Sequence, residues 1–230
     1  MTSTLFIGNK RYSSWSMRPW VLMKALNIPF TEELHVFAAG LRQPAFKTFS
    51  PSGKVPTLHH GDAVIWDSLA IAEYLAEDHP PVWPSDRKAR AWARCAAAEM
   101  HSGFPAIRDQ CSMNVALRIE LGAPDADLQR DLDRIDHLWT EGLSRFGGPW
   151  LAGEGFSAVD AFFAPVASRL LTYGIELSSE PAREYARRLL EHPAVAQWIE
   201  EGIKETAREP MHEEDCVRGR KVLKDISMSS

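Results

Sequence analysis

The sequence predicts an α/β domain followed by an all-helical domain, and three observations lead to this prediction. Strand and helix signals alternate over the first part of the chain. A proline-rich stretch, HPPVWP at residues 79–84, then interrupts the pattern. Beyond it, apolar residues recur at three- and four-residue steps, the period of amphipathic helices. We therefore predict an α/β domain over residues 1–80 and an all-α helical-bundle domain over residues 87–230.

The beginning of the chain predicts a strand, a helix and a second strand. Residues 5–7 form a short apolar strand candidate. Ser16 is expected to cap the first helix, because its hydroxyl can accept a hydrogen bond from a free N–H of the first turn, and Pro19 suits that turn. Asn27 ends the helix, and a second strand is expected near residues 31–36.

The rest of the α/β domain predicts a loop, a hairpin and a helix. Residues 37–53 contain scattered glycines and prolines, so a loop with a short helix is expected. Residues 57–60 and 63–66 are strand candidates on either side of a Gly–Asp turn, which is a hairpin signal. A helix over residues 69–77 follows. In this β-α-β-α-β-β-α order, strands joined through helices pair in parallel and the hairpin adds an antiparallel edge.

Apolar stripes define the second domain. The clearest stripe consists of Leu128, Leu132, Ile135, Trp139, Leu143 and Phe146. Residues 160–171 are apolar on nearly every face, so this helix is predicted to lie in the middle of the domain. The segment after Pro210 is polar and weakly patterned, and we expect it to be mobile.

Composition restricts the class of protein. The chain has 230 residues, of which 45% are hydrophobic and 25% charged, as is ordinary for a globular protein. A net charge of −5, without a basic cluster among aromatic residues, argues against nucleic acid as a partner. No apolar run reaches the length of a membrane span, so no membrane association is expected. The 3 cysteines are widely spaced without a CxxC motif, which favours a reduced, cytoplasmic protein.

Two neighbouring motifs predict a site for a small peptide that carries both an ammonium and a carboxylate. Proline cannot donate to a strand ladder, so Pro56 belongs at the entry of the first hairpin strand. If its peptide bond is cis, the N–H and C=O of Val55 turn outward and can pair with an extended peptide. Asp67 and Ser68 open the following helix, where the positive end of the helix dipole favours anions. Glutathione is one peptide of this kind.

Four local motifs, in order along the chain, resemble those of the cytosolic glutathione transferases. Residues 12–18 (YSSWSMR) resemble the serine motif of the zeta and tau classes, and residues 54–58 (KVPTL) resemble the cis-proline segment. Residues 67–75 (DSLAIAEYL) resemble the acidic–Ser segment that holds the γ-glutamyl group. Residues 155–160 (GFSAVD) resemble the capping box of the buried helix in the second domain. The resemblance implies a thioredoxin-like first domain and a serine-type enzyme closest to zeta/tau-like bacterial members.

The resemblance also implies that one serine hydroxyl hydrogen-bonds the glutathione sulfur. The thiolate is the nucleophile, and a hydrogen bond donated to it lowers the thiol pKa. Ser13 lies five residues before Arg18, as the catalytic serine does in the zeta and tau motifs, and Ser14 lies four before it, as in theta-like enzymes. We expect Ser13 to contact the sulfur, with Ser14 as the alternative; Tyr12 is disfavoured. A purely structural alternative is that these serines satisfy backbone donors at the helix entry.

The same resemblance assigns the rest of the glutathione site. Asp67 and Ser68 receive the γ-glutamyl ammonium and carboxylate, Val55 pairs with the cysteinyl backbone beside Pro56, and Lys54 approaches the glycyl or γ-glutamyl carboxylate. Three residues of the 40–47 loop are further candidates for the glycyl carboxylate: Arg42, Gln43 and Lys47.

The second substrate is expected between the domains, against the first long helix of the helical domain. The candidate wall residues are Trp15, Phe104, Arg108 and Met113, and Gly103 and Pro105 are expected to bend that helix. An alternative is that the apolar residues are core. Arg108 is a charge in an apolar segment, so it either binds an anionic substrate group or pairs with a carboxylate.

The leading functional prediction is a glutathione transferase enzyme, with glutathione as co-substrate and a small electrophilic molecule as its partner. Two alternatives stay open: a glutathione-dependent cis–trans isomerase of the maleylacetoacetate type, and a non-catalytic glutathione- or ligand-binding module. A homodimer is expected from the resemblance. We expect no metal, because His59 and His60 point to opposite faces of a strand and the other histidines lack ligand spacing.

Overall fold

The α/β domain contains a four-stranded sheet. The computed structural model describes residues 2–40 and 42–227. Strands run in the order β2-β1-β3-β4, with β1 parallel to β2, β1 antiparallel to β3, and β3 antiparallel to β4. Their bounds are Ser3–Ile7 (β1), Thr31–Leu34 (β2), Thr57–His60 (β3) and Ala63–Trp66 (β4). The predicted hairpin is confirmed, whereas β2 is shorter than predicted.

Two helices and a short 3-10 helix complete this domain. Helix α1 is Ser14–Ala25, α2 is Ser68–Asp78, and the 3-10 helix Pro44–Thr48 lies in the predicted loop. Leu5 of β1 lies opposite Leu58 of β3, and both side chains are fully buried in the main core. The sheet therefore joins a core that continues into the helical domain.

The prediction that Ser16 caps α1 is wrong. The N-cap is Ser13, whose hydroxyl accepts the backbone N–H of Ser16 at 3.4 Å. Ser16 lies inside the helix, where its hydroxyl accepts from the Gly8 N–H at 3.2 Å and from the Ser13 hydroxyl at 2.8 Å. Every serine in this cluster has the chemistry of a cap, so residue type alone did not locate the helix start.

Beyond the α/β domain, the described chain contains a 3-10 helix, Pro80–Val82, then seven α-helices and a small sheet. The helices are Arg87–Ser102 (α3), Pro105–Gln110 (α4), Ala126–Phe146 (α5), Ala158–Tyr173 (α6), Glu180–Glu191 (α7), Pro193–Lys204 (α8) and Pro210–Val217 (α9). Helix α6 is buried along nearly its whole length and contacts α1, α3 and α7. Its predicted place in the middle of the domain is confirmed. Within the described ranges, no helix is both long and apolar enough to cross a membrane.

Gly103 and Pro105 break the predicted helix instead of bending it. Helix α3 ends before Gly103, where a Cβ would lie only 2.8 Å from the carbonyl oxygen of Glu99. Phe104 adopts a left-handed conformation with φ of 59°, and Pro105 then starts α4. Only Gly103 and Phe104 therefore separate α3 from α4.

The prediction of a mobile segment after Pro210 is wrong. Helix α9 is followed by strand β6, Val222–Asp225, which pairs antiparallel with β5, Leu117–Ile119. The domain is therefore not entirely helical. Polar contacts anchor this region: Arg218 pairs with Asp109, and Arg208 pairs with Asp225. Such contacts leave no periodic apolar pattern, so hydrophobic periodicity does not predict them.

The chain after α8 clamps the loop between β1 and α1. Glu205 accepts the backbone N–H of Lys10 at 2.6 Å and that of Arg11 at 3.2 Å. Arg11 is fully buried and donates to the carbonyls of Gly202 and Ile203 in α8. A Cβ at Gly202 would lie 3.0 Å from the Arg11 nitrogen, so this close approach requires glycine. The loop that carries the serine cluster is thus held by the helical domain.

Asp160 anchors the start of α6. This fully buried carboxylate accepts from the N–H of Leu151 at 3.0 Å, the N–H and hydroxyl of Ser157 at 2.9 and 3.2 Å, and the Tyr185 hydroxyl at 2.8 Å. Burial raises the pKa of Asp160 to about 6, and these hydrogen bonds oppose the rise. The carboxylate therefore joins three segments around the central helix.

Replacing Asp160 with asparagine tests this anchor. An Asp160→Asn side chain keeps the size but turns one acceptor oxygen into a donor that faces other donors. Hydrogen bonds to charged groups contribute about 1.5–3 kcal/mol each, so we expect the free energy of unfolding in urea to fall by about 3 kcal/mol. Tyr185→Phe removes a single donor and should cost about half as much. If Asp160→Asn and Tyr185→Phe lowered the free energy of unfolding equally, the central role of the Asp160 carboxylate would be contradicted.

Candidate functional site

A cavity of about 800 Å³ lies where the loop after β1, the segment 37–55 and helix α9 meet. The segment Tyr12, Ser13, Ser14 and Trp15 forms one side of it. Both serine side chains are buried, and both belong to the N-terminal end of α1, where backbone N–H groups carry partial positive charge. The cavity therefore receives two hydroxyls in a setting that stabilises negative charge.

The two serines differ in their hydrogen bonds. Ser13 donates to Ser16 Oγ at 2.8 Å and accepts the Ser16 N–H at 3.4 Å, both within its own helix. Ser14 Oγ instead accepts from Arg169 Nη2 at 3.3 Å, and Arg169 belongs to α6. The Ser13 proton is thus directed into the helix start, whereas Ser14 is linked to the helical domain.

The Trp15 ring contacts two guanidinium groups. Its ring centroid is 4.1 Å from Cζ of Arg18 and 5.0 Å from Cζ of Arg108, and about a third of its surface is exposed in the cavity wall. Cations over a tryptophan face are attracted by the ring quadrupole, which fixes the indole orientation. The sequence prediction that Trp15 lines a cavity agrees with this position.

The structure does not bring the other predicted wall residues to this cavity. Phe104 and Met113 are buried in the core, as the alternative interpretation held. Arg108 donates to the backbone carbonyls of Gly103, at 2.9 Å, and Met100. These carbonyls are available because α3 ends at Gly103, and sequence periodicity does not predict where that end falls. Arg108 therefore stabilises the α3–α4 junction and stacks on Trp15.

The cis-proline segment forms the opposite edge of the cavity. The Val55–Pro56 peptide bond is cis. Lys54 and Val55 line the cavity, while Pro56 is buried behind them. Within the described residues, the N–H and C=O of Val55 have no hydrogen-bond partner. This backbone can pair with an extended ligand.

The hairpin brings Asp67 and Ser68 next to this segment. Thr57 at the start of β3 pairs with Trp66 at the end of β4, so the residues flanking the two strands are neighbours. Asp67 has φ of 76° and caps α2 by accepting the Leu69 N–H at 2.8 Å. Neither Asp67 nor Ser68 lines the cavity itself. The cis-proline segment and the Asp67–Ser68 motif are therefore adjacent, but only the cis-proline segment contributes to the cavity wall.

A buried arginine links this second motif to the serine helix. Arg18 of α1 donates to Ser68 Oγ at 3.4 Å, and its own Nε is buried without a partner among the described residues. Burial lowers the pKa of Arg18 and the neighbouring Arg108 and Arg169 lower it further, while Asp67 raises it. Three guanidinium groups and one nearby carboxylate make this region favourable for an anionic group of a ligand.

Helix α9 supplies a wall that the sequence prediction missed. The His212 ring stacks between Tyr12 and Phe37, with centroids 5.1 and 4.9 Å away. Glu209, which is almost fully buried, accepts from His212 Nδ1 at 2.6 Å, and Met211 is exposed beside them. Asp215 also lines the cavity. The sequence did contain a signal for the start of α9, because Pro210 directly follows the capping residue Glu209 and proline is frequent at the first helical position.

The 40–47 loop forms a polar rim. Arg42, Gln43 and Lys47 line the cavity, as does Lys54. Gln43 is occupied with the loop itself, accepting from the Ala38 N–H at 2.8 Å, and Lys47 donates to the Pro51 carbonyl at 2.8 Å. Among the described residues, no three His, Cys, Asp or Glu side chains are arranged to hold a metal ion.

Comparison with known proteins identifies similar sequences over both domains. A family model for the glutathione S-transferase N-terminal domain matches residues 12–78, and one for the C-terminal domain matches residues 123–201. Glutathione S-transferase 1 of Dianthus caryophyllus is 27% identical over 177 residues, covering 73% of this chain and 77% of the relative. GstB of Escherichia coli K12 is 25% identical, covering 77% and 88%. A probable maleylacetoacetate isomerase of Caenorhabditis elegans is 25% identical, covering 74% and 80%.

Solved structures share the fold. A tau class glutathione S-transferase from mango, Mangifera indica, superimposes with a TM-score of 0.66 at 20% identity, covering 95% of this chain and 97% of that one. A glutathione transferase homologue from Burkholderia, solved with bound glutathione, gives a TM-score of 0.62 at 23% identity, covering 88% and 98%. At these identities the comparison concerns the architecture, namely an α/β domain followed by a largely helical one.

Proposed function

Because this chain belongs to the glutathione S-transferase family, we propose that it binds glutathione and joins it, through its sulfur, to a small electrophilic molecule. The observation that carries the proposal is the shared cavity, which is lined both by the serines at the start of α1 and by Val55, whose backbone N–H and C=O have no partner among the described residues. One group of residues holds the peptide, and the other stabilises the reacting sulfur.

The proposed chemistry is serine-assisted nucleophilic attack. The glutathione thiol releases its proton to solvent, and the thiolate accepts a hydrogen bond from a serine hydroxyl, either Ser13 or Ser14. Donation to the charged form lowers the thiol pKa, and the N-terminus of α1 adds its positive partial charge. The sulfur then forms a bond to an electrophilic carbon, from which a leaving group departs with its electron pair. Each unit by which the pKa falls is worth about 1.4 kcal/mol.

The holding site follows from the available donors and acceptors. We assign the cysteinyl backbone to Val55 and the γ-glutamyl ammonium to Asp67. Ser68 accepts from Arg18, so its own proton is available for the γ-glutamyl carboxylate. Lys54 and Arg42 are exposed at the cavity rim, where they suit the glycyl carboxylate.

We propose that the electrophile lies between Trp15 and α9. Phe37, Met211 and His212 offer aromatic and polarizable surface there, as small-molecule sites usually do. Glu209 and Asp215 lie on the same wall, so neutral electrophiles are favoured over anions. The isomerase alternative has support from the similarity to the C. elegans relative. A diacid substrate fits this wall poorly, because Arg108 is bonded to backbone carbonyls elsewhere.

Assembly and location remain predictions. We propose a homodimer in the cytoplasm without nucleic-acid or membrane partners. Strand β4 is an edge strand that exposes Val64 and Trp66, which makes this side of the α/β domain the candidate contact surface.

Removing the serine hydroxyls tests the chemistry. In the double variant Ser13→Ala/Ser14→Ala we expect kcat/KM for conjugation to an aryl halide to fall by about 10²-fold, the usual cost of losing a donor to a developing anion. The glutathione Kd from calorimetry should stay within a few-fold. Ser144→Ala, an exposed serine on α5, is the control. Unchanged conjugation in the double variant would exclude serine assistance.

Replacing Ser68 tests the holding site. Ser68→Ala removes a hydrogen bond to a carboxylate, so we expect glutathione to bind about tenfold more weakly. The dipeptide cysteinylglycine lacks the γ-glutamyl group and should bind the variant and the parent protein equally. A similar loss for both ligands in calorimetry would show that Ser68 does not read the γ-glutamyl group.

Changing α9 tests the electrophile site. Stacked aromatic contacts contribute about 1 kcal/mol, so His212→Ala should raise the aryl halide KM about fivefold without changing the glutathione KM. Met113→Leu, a volume-conserving change in the core, should leave both constants unchanged. If Met113→Leu raised the aryl halide KM and His212→Ala did not, the electrophile would lie against the wall predicted from the sequence instead. Parallel assays with a peroxide and a maleyl diacid then separate transferase, peroxidase and isomerase activities.

A further inference from the structure

Arg169 is a buried cation beside the proposed catalytic serines. It lies on the central helix α6 with 5% of its surface exposed. Its guanidinium donates to three oxygens: the carbonyl of Cys111 at 2.8 Å, the carbonyl of Pro165 at 3.3 Å and the hydroxyl of Ser14 at 3.3 Å. The last contact connects the middle of the helical domain to the start of α1.

In the part of the chain that the structure describes, no carboxylate is paired with this charge. Within the described ranges, no Asp or Glu oxygen lies within 4.0 Å of the Arg169 guanidinium. The titratable groups that face it are Tyr173, Cys111 and Cys216, together with Arg108. Burial raises the pKa of Cys111 to about 11 and that of Cys216 to about 12, so both thiols are neutral at pH 7. Burial also raises the pKa of Tyr173, which is neutral as well.

Arg169 nevertheless keeps its charge at neutral pH. Burial and the like charge of Arg108 lower the pKa of Arg169 to about 10, still above neutral. Arg18, on α1, is a further cation on this side, since Arg169 lowers its pKa. Leaving a buried charge without an opposite charge is costly. A purely structural tie between α6 and the Cys111 loop needs only the bond to the Cys111 carbonyl, because Pro165 lies within α6 itself. The bond to Ser14 therefore calls for a separate explanation.

The two serines differ in where their protons can go. Ser13 donates to Ser16 Oγ, so its proton is used inside the helix start. Ser14 Oγ accepts from Arg169, and among the described residues its own proton has no acceptor. Ser14 lines the cavity. An O–H whose oxygen already receives a charged donor is also a stronger donor itself, because linked hydrogen bonds polarise one another.

We propose that Ser14, and not Ser13, donates to the glutathione thiolate, and that Arg169 is the positioning residue that orients Ser14 and places a positive charge behind it. This inference rests on the proposed function. It reverses the preference for Ser13 that the spacing to Arg18 suggested. The thiolate is then the anion that the buried guanidinium lacks, with one hydroxyl between the two charges. Ser13 keeps the role of helix cap.

The pKa of the bound glutathione thiol tests this assignment. It can be read twice, from ultraviolet absorbance of the thiolate in the binary complex and from the pH dependence of kcat/KM. We expect Ser14→Ala and Arg169→Gln each to raise it by about one unit, which leaves about tenfold less thiolate below the pKa. Arg169→Lys keeps the charge but cannot form the forked contacts, so a smaller rise is expected.

The controls separate position from packing. Ser168→Ala changes a buried serine next to Arg169 on α6 and should leave the thiol pKa unchanged. Ser13→Ala should lower the melting temperature, as loss of a helix cap does, with a smaller change in the thiol pKa than Ser14→Ala. In a protein that already carries Ser14→Ala, adding Arg169→Lys should shift the thiol pKa little further, because the hydroxyl through which Arg169 acts is already absent.

Specific outcomes would overturn the inference. A larger pKa shift in Ser13→Ala than in Ser14→Ala would return the role to Ser13. An unchanged thiol pKa in Arg169→Gln would exclude Arg169; if that variant does not fold, Arg169→Lys and its combination with Ser14→Ala give the same decision. A parent protein that binds glutathione with an unshifted thiol pKa, or does not bind it, would instead refute the proposed function itself.

Discussion

The proposed function depends on how rigidly the helical domain holds the loop between β1 and α1. Glu205 accepts two backbone N–H groups of this loop, and Arg11 from the loop is buried against the end of α8. From α6, Arg169 reaches Ser14, the first residue of α1, which directly follows this loop. A hydroxyl that must meet a thiolate needs a fixed position, since small displacements weaken a hydrogen bond steeply. The joint between the two domains supplies that position, so stability and the proposed chemistry depend on the same contacts.

Local signals account for the parts of the fold that the sequence predicted. The hairpin follows from two short strand candidates around Gly61 and Asp62, and the hairpin register then brings Pro56 and Asp67 together. The central helix follows from residues 160–171, which are apolar on nearly every face. In each case the sequence signal lies within about ten consecutive residues, and the tertiary packing is consistent with that local preference.

Tertiary contacts determine what the sequence did not reveal. Ser13, Ser14 and Ser16 are equivalent as residue types, and only Arg169 and the Gly8 N–H distinguish them. Helix α9 is short and polar, and its position depends on His212 stacking between side chains nearly two hundred residues earlier in the chain. Polar contacts of this kind produce no periodic pattern in the sequence and no bias in its local composition. For the same reason, the electrophile wall could not be located from apolar residues alone.

Charge is distributed unevenly around the cavity, and this distribution favours a different region for each of the two proposed substrates. Lys54 and Arg42 lie at the rim near Val55, and Arg18 lies behind Ser68, so both carboxylates of a bound glutathione would meet cations. The α9 wall carries Glu209, whose pKa burial would raise but whose hydrogen bonds from His212 hold it low, so it is ionised at neutral pH. An anion placed there would be repelled, whereas a neutral electrophile would not. The same asymmetry would orient glutathione with its carboxylates away from α9 and its sulfur toward the serines.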